Sequence, residues 1–174
     1  MLFRSEDPII SGVVTDTSEA KFTIVAVPDR PGISAAVFER LAAANVNVDM
    51  IVQNTGHDGA TDLSFTLPKA DIATASGIVE QLASEIGAKG VNHDIDIAKI
   101  SLVGAGMKTS PGVAAKMFRT VADEGINIEM ISTSTIRISI VTKAEHLEAA
   151  ARALHTAFGL DSGQSYSAPL PERK

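Results

Sequence analysis

Residues able to do chemistry are sparse in this chain, and their spacing excludes most reactions. The histidines stand at 57, 93, 146 and 155. None has a second four residues on, the spacing that puts two imidazoles on one helical face to share a metal. His93 with Asp94 and Asp96 could gather a cation, but a solvated edge is the favoured reading, and His57-Asp58 in a turn reads the same way. Gly104-Ala105-Gly106 follows an apolar run and faintly resembles a dinucleotide-binding turn. The third glycine of G-x-G-x-x-G would fall at Thr109, however, and the helical pattern begins only after Pro111. A tight strand-to-helix turn accounts for it. No G-x-S-x-G elbow serves a nucleophilic serine, and no G-x-x-x-x-G-K-[ST] loop cradles phosphates. The absence of Cys removes thiolate nucleophiles and Cys-ligated zinc. The expectation is no catalytic residue, no metal and no cofactor.

A binding chemistry is more plausible. Pro31-Gly32 and Pro111-Gly112 each precede a helical pattern, and the first amides of a helix lack intrahelical acceptors. Such a helix start attracts a carboxylate. The segment after each helix brings Asn47 or Asn127 and an acid, Asp49 or Glu129, which could receive an ammonium group. Carboxylate plus ammonium is an amino acid. The plainer alternative, in which Pro-Gly merely starts a helix and Asn caps its far end, is favoured by the residues alone.

The elements that must position these groups occur twice. Pro31 to Val52, PGISAAVFERLAAANVNVDMIV, aligns without a gap on Pro111 to Ser132, PGVAAKMFRTVADEGINIEMIS. Pro31/Pro111, Gly32/Gly112, Ala35/Ala115, Phe38/Phe118, Ala42/Ala122, Asn47/Asn127, Met50/Met130 and Ile51/Ile131 are identical, so the chain carries an internal duplication. Its 174 residues then divide into two units of about 75 residues. In the first, KFTIVAV (21–27), VNVDMIVQN and TDLSFTLP read as strands, with TDTSEA as a turn before the first of them. Pro31 suits a first helical turn, Asp71 is a candidate N-cap for a second helix ending at Gly87, and HDIDIAK closes the unit as a strand. In the second, KISLVGAG, INIEMISTS and IRISIVT are strands, with helices over 113–124 and 145–158. The early strand IISGVV (9–14) has no partner in the first unit and is assigned to the second sheet, and SYSA near Tyr166 is a candidate for one more strand. The expected fold is α+β: two ferredoxin-like βαββαβ units, the first inserted in the second. The boundaries are 21–97 for the first and 8–16 with 98–170 for the second, with tails at 1–7 and 171–174.

Composition narrows the partners. A formal charge of −6 gives nucleic acid no clustered cations, and one Tyr, six Phe and no Trp leave few stacking platforms. A hydrophobic share of 45% with 21% charged residues fits a soluble globular chain. MLFRSEDPIISG lacks the apolar run of a signal peptide, and nowhere is there a stretch of about 18 apolar residues to span a membrane. Cysteine-free composition fits a reducing, cytoplasmic setting.

At VPDRPGISAAVFERLAAANVNVDMIVQN and KISLVGAGMKTSPGVAAKMF…INIEMISTSTIRIS the chain resembles the paired ACT domains of aspartate kinase, over about Ile10 to Phe158. The family's catalytic domain is missing, so the resemblance is to the regulatory beta subunit. It implies a non-catalytic homodimer that assembles with a catalytic alpha subunit as alpha2beta2. Its effector would be threonine, with lysine acting in concert, in feedback control of lysine, threonine and methionine biosynthesis. The implied threonine contacts are Asp29, Gly32, Ile33, Ser34 and Gln53 in the first unit, and Gly125, Ile126, Asn127 and Ile128 in the second unit of a partner copy. Asp29 would take the ammonium or hydroxyl, and main-chain groups near Gly32 and Asn127 the carboxylate. Thr135, where the family often has an acid, and the short turn 55–60 are departures that bear on ligand preference, as are the variable positions Gly125 and Ser34. Two alternatives stand beside this reading: a free-standing ACT-type amino-acid sensor for another enzyme or regulator, and a ferredoxin-like enzyme or RNA binder. The acidic balance and the empty catalytic inventory weigh against the last.

Overall fold

In the computed structural model, residues 9–56, 58–107, 110–162 and 166–167 are described. Strands β1 (Ile9–Asp16) and β2 (Glu19–Pro28) lead into α1 (Ile33–Ala43), β3 (Ile51–Gln53), β4 (Ala60–Pro68), α2 (Ile72–Ile86) and β5 (Gly90–Asp94). Then come β6 (Ile97–Ala105), α3 (Pro111–Asp123), β7 (Met130–Thr133), β8 (Arg137–Lys143), α4 (Leu147–Ala157) and β9 (Tyr166–Ser167). The chain divides into two units, 18–97 and 1–17 with 98–174. The first to occur whole in the sequence is therefore inserted in the second, in an α+β, ferredoxin-like arrangement.

The inserted unit has a four-stranded sheet ordered β3-β4-β2-β5, with every adjacent pair antiparallel. Strand alternation sends Phe22, Ile24, Leu63 and Phe65 to one face, where all are fully buried. Helix α1 meets them with Ile33, Val37 and Leu41, and α2 with Ala75, Val79, Leu82 and Ala83. These spacings of four and of three or four are those of one helical stripe. Phe65 anchors the core: it stacks on Phe22 at 5.8 Å between ring centroids and takes the edge of Phe38 at 5.5 Å.

The second unit repeats the plan. Its sheet runs β7-β8-β6-β1-β9, with β1 antiparallel to both β6 and β9. Val113, Met117 and Val121 of α3 occupy the same repeat positions as Ile33, Val37 and Leu41 and are buried in the same way. Ala150, Leu154 and Phe158 complete that core from the α4 side.

Local differences from the sequence expectations have specific causes. The turn expected over 15–20 shrinks to Thr17 and Ser18, because β1 runs on to Asp16 and β2 starts at Glu19. VNVDMIVQN is a strand only from Ile51; before it, Asp49 and Met50 are tied to Thr66, with Asp49 N–H donating to Thr66 O and Thr66 N–H to Met50 O, both at 3.0 Å. HDIDIAK is not one strand. Asp94 Oδ1 accepts the Asp96 amide at 2.9 Å, and this Asx turn ends β5 before β6 begins at Ile97. Asp71 sits at the N-cap of α2 but its side chain caps nothing; a short 3-10 turn over Lys69–Asp71 precedes the helix instead. The expected tails at 1–7 and 171–174 and His57 lie outside the described residues. Among the described residues no helix is long and apolar enough to cross a membrane.

Candidate effector site

The β2–α1 connection and the tip of β3 form one end of the inserted unit. Just before it, β2 is kinked by a bulge between Ile24 and Val27, where Ala26 adopts φ 53°, a left-handed conformation unusual for a residue with a Cβ. The Ala26 amide, turned out of the ladder, donates to Asp62 Oδ1 at 2.9 Å. Sequence reasoning missed this bulge and its acceptor; no glycine marks it. Beyond Pro28, the Asp29 amide donates to Gly59 O at 2.9 Å, which fixes the turn while the residue itself stays exposed.

Gly32 is the N-cap of α1, with φ 91°. Pro31 therefore lies outside the helix, not in its first turn as expected. In the second unit the identical Pro-Gly pair behaves differently: Ser110 is the N-cap and Pro111 the first helical residue. In α1 the Ala36 amide is the first to reach back four residues, to Gly32 O at 3.0 Å, so the amides of Ile33, Ser34 and Ala35 have no intrahelical acceptor. No side chain caps this helix start and no acid stands in its first turn. A carboxylate could thus approach it without meeting an acid of the first helical turn.

Ser34 and Gln53 are brought together, the hydroxyl donating to Gln53 Oε1 at 2.8 Å. Of the five residues proposed in this unit, Ser34 and Gln53 are thus brought together and Gly32 adjoins them at the helix start, whereas Ile33 is buried in the core. Asp29 lies on the same connection, three residues before Gly32.

The remaining candidates belong to the other unit. Gly125 has φ 71° and directly follows the end of α3, as Asn45, at the matching repeat position, follows α1 with φ 58°. Both are left-handed helix stops, a local job sufficient to explain them. Ile126 is buried in the core, Ile128 is packed against it, and Asn127 between them is exposed. The helix stops are thus Asn45 and Gly125, not Asn47 and Asn127. Of the two acids guessed from spacing, Glu129 fares worse as an ammonium receptor. Glu129 pairs with Lys143 at 3.2 Å and its side chain is only 15% exposed, so a ligand amine would have to displace a lysine.

Of the other chemical candidates, His93 stacks on Phe22 with centroids 5.5 Å apart. Among the described residues no group of three or more His, Asp or Glu side chains is placed to hold a metal ion.

Two family models, each described as an ACT domain, match the chain over residues 22–87 and 100–158. The chain carries two ACT domains. An aspartokinase of Pseudomonas aeruginosa is 51% identical over 157 residues, covering 90% of this chain and 38% of that protein. One from Corynebacterium glutamicum is 46% identical, covering 89% and 37%. This chain therefore spans well under half the length of the curated relatives it matches. Among solved structures, aspartokinase alpha and beta subunits include a chain 43% identical with a TM-score of 0.82, the match covering 87% of this chain and 99% of that one. The ligand-free regulatory subunit of aspartate kinase from Thermus thermophilus gives 43%, 0.82, 86% and 98%. The chain belongs to the aspartokinase family and corresponds to its regulatory, ACT-domain part.

Proposed function

We propose that this chain is a non-catalytic regulatory subunit that binds threonine, with lysine acting in concert, and conveys feedback inhibition to a catalytic aspartate kinase subunit. The reading rests on the Ser34–Gln53 hydrogen bond beside an uncapped helix start. That pair sets a hydroxyl and a carboxamide, both able to bond an amino acid, next to amides that favour its carboxylate. Asp29 supplies the carboxylate for the ammonium or hydroxyl. Asn127 and Ile128, with Gly125 and Ile126 beside them, complete the site from a second copy of the chain, so the functional unit is a homodimer through ACT–ACT contacts. The assembly is alpha2beta2, cytoplasmic, with no metal or other cofactor and no nucleic-acid or membrane partner. Regulatory subunits of aspartate kinase have the same two-ACT-domain length and fold, which supports assembly of this kind.

Linkage gives the mechanism. An effector held between two copies binds only the closed pair and stabilises it by mass action. Coupling of about 1–3 kcal/mol to a catalytic subunit alters its activity roughly 5- to 150-fold. Titration calorimetry of the purified chain against threonine, lysine, methionine and isoleucine, with mass followed by light scattering, tests this. Saturable threonine binding with a tightened dimer is expected. A well-folded dimer that ignores threonine would exclude threonine sensing by this chain alone.

A further inference from the structure

The β2–α1 connection leaves its sheet through the bulge at Ala26, and the bulge decides how it leaves. Ile24 pairs with Leu63 and Val27 with Thr61, so Val25 and Ala26 together stand opposite Asp62. The extra residue breaks the alternation of the strand. Phe22 and Ile24 are fully buried, but Ala26, next in that phase, is only half-buried, and Val27 is buried in its place. The chain that follows, from Pro28 through Asp29 to the N-cap Gly32, is therefore set one residue out of phase with a regular strand.

Two bonds from the β4 side hold this course. Asp62 Oδ1 accepts the Ala26 amide and Gly59 O accepts the Asp29 amide, both at 2.9 Å. The first acts against strain. Ala26 has φ 53°, and an L-residue is biased against this conformation by about 5- to 30-fold in population. Asp62 itself is exposed and is no part of the core.

The second unit is built differently here. The hydroxyl pair Thr23–Ser64 matches Ser101–Ser139, which puts Gly104 at the repeat position of Ala26 and Arg137 at that of Asp62. Gly104 is not left-handed, and its amide donates to a backbone carbonyl, Ile136 O, at 2.9 Å. An arginine side chain could not accept such a bond. Among the described residues, a strained bulge held by a side chain is thus confined to the unit whose β2–α1 connection carries Asp29, Gly32, Ile33 and Ser34.

We propose that Asp62 is a positioning residue for the effector site of the first unit: by holding the Ala26 amide it keeps the β2–α1 connection in its ligand-binding course. The role rests on the amino-acid reading of that site, and Asp62 touches no ligand in it. A chain that lacks the bond spends part of its time with Ala26 relaxed, and its apparent affinity falls with the fraction that stays competent. The bond needs an acceptor rather than a charge, so an Asn side chain can replace it. Ala26→Gly removes the strain itself and should restore affinity to a chain without Asp62.

The test is threonine calorimetry on the full chain, with a thermal melt of each sample, for the wild type, Asp62→Ala, Asp62→Asn and the double variant A26G/D62A. Asp62→Ala should weaken threonine binding by about fivefold or more, and Asp62→Asn by less than about twofold. The double variant should recover most of the loss. Amide hydrogen exchange without threonine gives a reading that needs no ligand: the Ala26 and Asp29 amides should exchange faster in Asp62→Ala than in the wild type. Unchanged exchange, or a melt lowered with affinity unchanged, would overturn the proposal. So would a loss that Asp62→Asn shares in full or that Ala26→Gly does not mend. A wild-type chain that ignores threonine would overturn the effector reading and this role with it, whereas wild-type binding with Asp62→Ala indifferent overturns this role alone.

Discussion

The Ser34 hydroxyl and the Gln53 carboxamide hold each other at 2.8 Å across the start of α1 and the tip of β3. Both groups are solvent-accessible, so the bond adds little to stability but fixes two donors and acceptors beside the helix start. Gln53→Ala should leave the unfolding free energy within about 0.5 kcal/mol of wild type. It should weaken threonine binding by about tenfold or more, the worth of one hydrogen bond to a charged ligand. Calorimetry and a thermal melt on the same protein separate the two effects. A wild-type dissociation constant would remove Gln53 from the site.

Gly32 and Gly112 are identical in sequence but not in conformation. Gly32 has φ 91° at the N-cap of α1, whereas Gly112 lies inside α3 and is not left-handed. Neither has an atom within 4 Å of where a Cβ would stand, so backbone strain alone decides the outcome. Gly32→Ala should destabilise by about 1–2 kcal/mol, the cost of a left-handed L-residue. Gly112→Ala should be neutral or stabilise by up to about 1 kcal/mol, because Ala is the better helix former. Urea melts of both variants measure this. Equal destabilisation would mean that the two turns are the same.

Position 32 also bears on binding. Gly32→Asp adds to the strain a carboxylate at the helix start, where a ligand carboxylate is proposed to sit, and should reduce threonine affinity more than Gly32→Ala does. Comparing the two variants by calorimetry isolates the charge. Equal affinities would place the ligand carboxylate elsewhere.

What the sequence made legible was whatever repeats or alternates. The gapless duplication announced two equivalent helices, and Ile33, Val37 and Leu41 with Val113, Met117 and Val121 do fill equivalent core positions. Side-chain turns that compete with the pattern were not legible. Ile95 and Ile97 alternate as in one strand, yet the Asp94 side chain captures the Asp96 amide and leaves Ile95 47% exposed. The Ala26 bulge has no glycine to signal it, because its strain is met by Asp62, 36 residues away. At the site, the Pro-Gly turns were visible, but the Ser34–Gln53 contact depends on how far β3 extends.

Ser101 and Ser139 form a buried pair, their hydroxyls 2.7 Å apart across β6 and β8 and the residues 2% and 5% exposed. Thr23 and Ser64 make the matching pair in the first unit at 2.9 Å, partly buried. Ser139→Ala leaves the Ser101 hydroxyl buried without this partner and should cost about 1–3 kcal/mol. The double variant S101A/S139A should cost less than the sum of the singles, since neither polar group remains. A double-mutant cycle by urea denaturation gives the coupling. Strict additivity would mean that the pair does not interact.

Arg40 of α1 and Glu85 of α2 are joined at the surface by an ion pair. The hydrogen bond from Arg40 holds the Glu85 carboxyl below its usual range, helped by the arginine's charge and by a second bond from Gln81 against the opposing effect of desolvation. A carboxyl whose pKa is lowered in the folded state stabilises above its unfolded pKa, and that contribution disappears as pH falls through the folded value. Both groups are exposed, so solvent and salt screen the interaction and the effect is small. Glu85→Gln should therefore melt slightly below wild type at pH 7, and the difference should shrink below about pH 4. It should also shrink in high salt at neutral pH. Thermal melts over a pH series at two ionic strengths check both trends. A difference that persists undiminished at acid pH would assign the loss to helix packing rather than to charge.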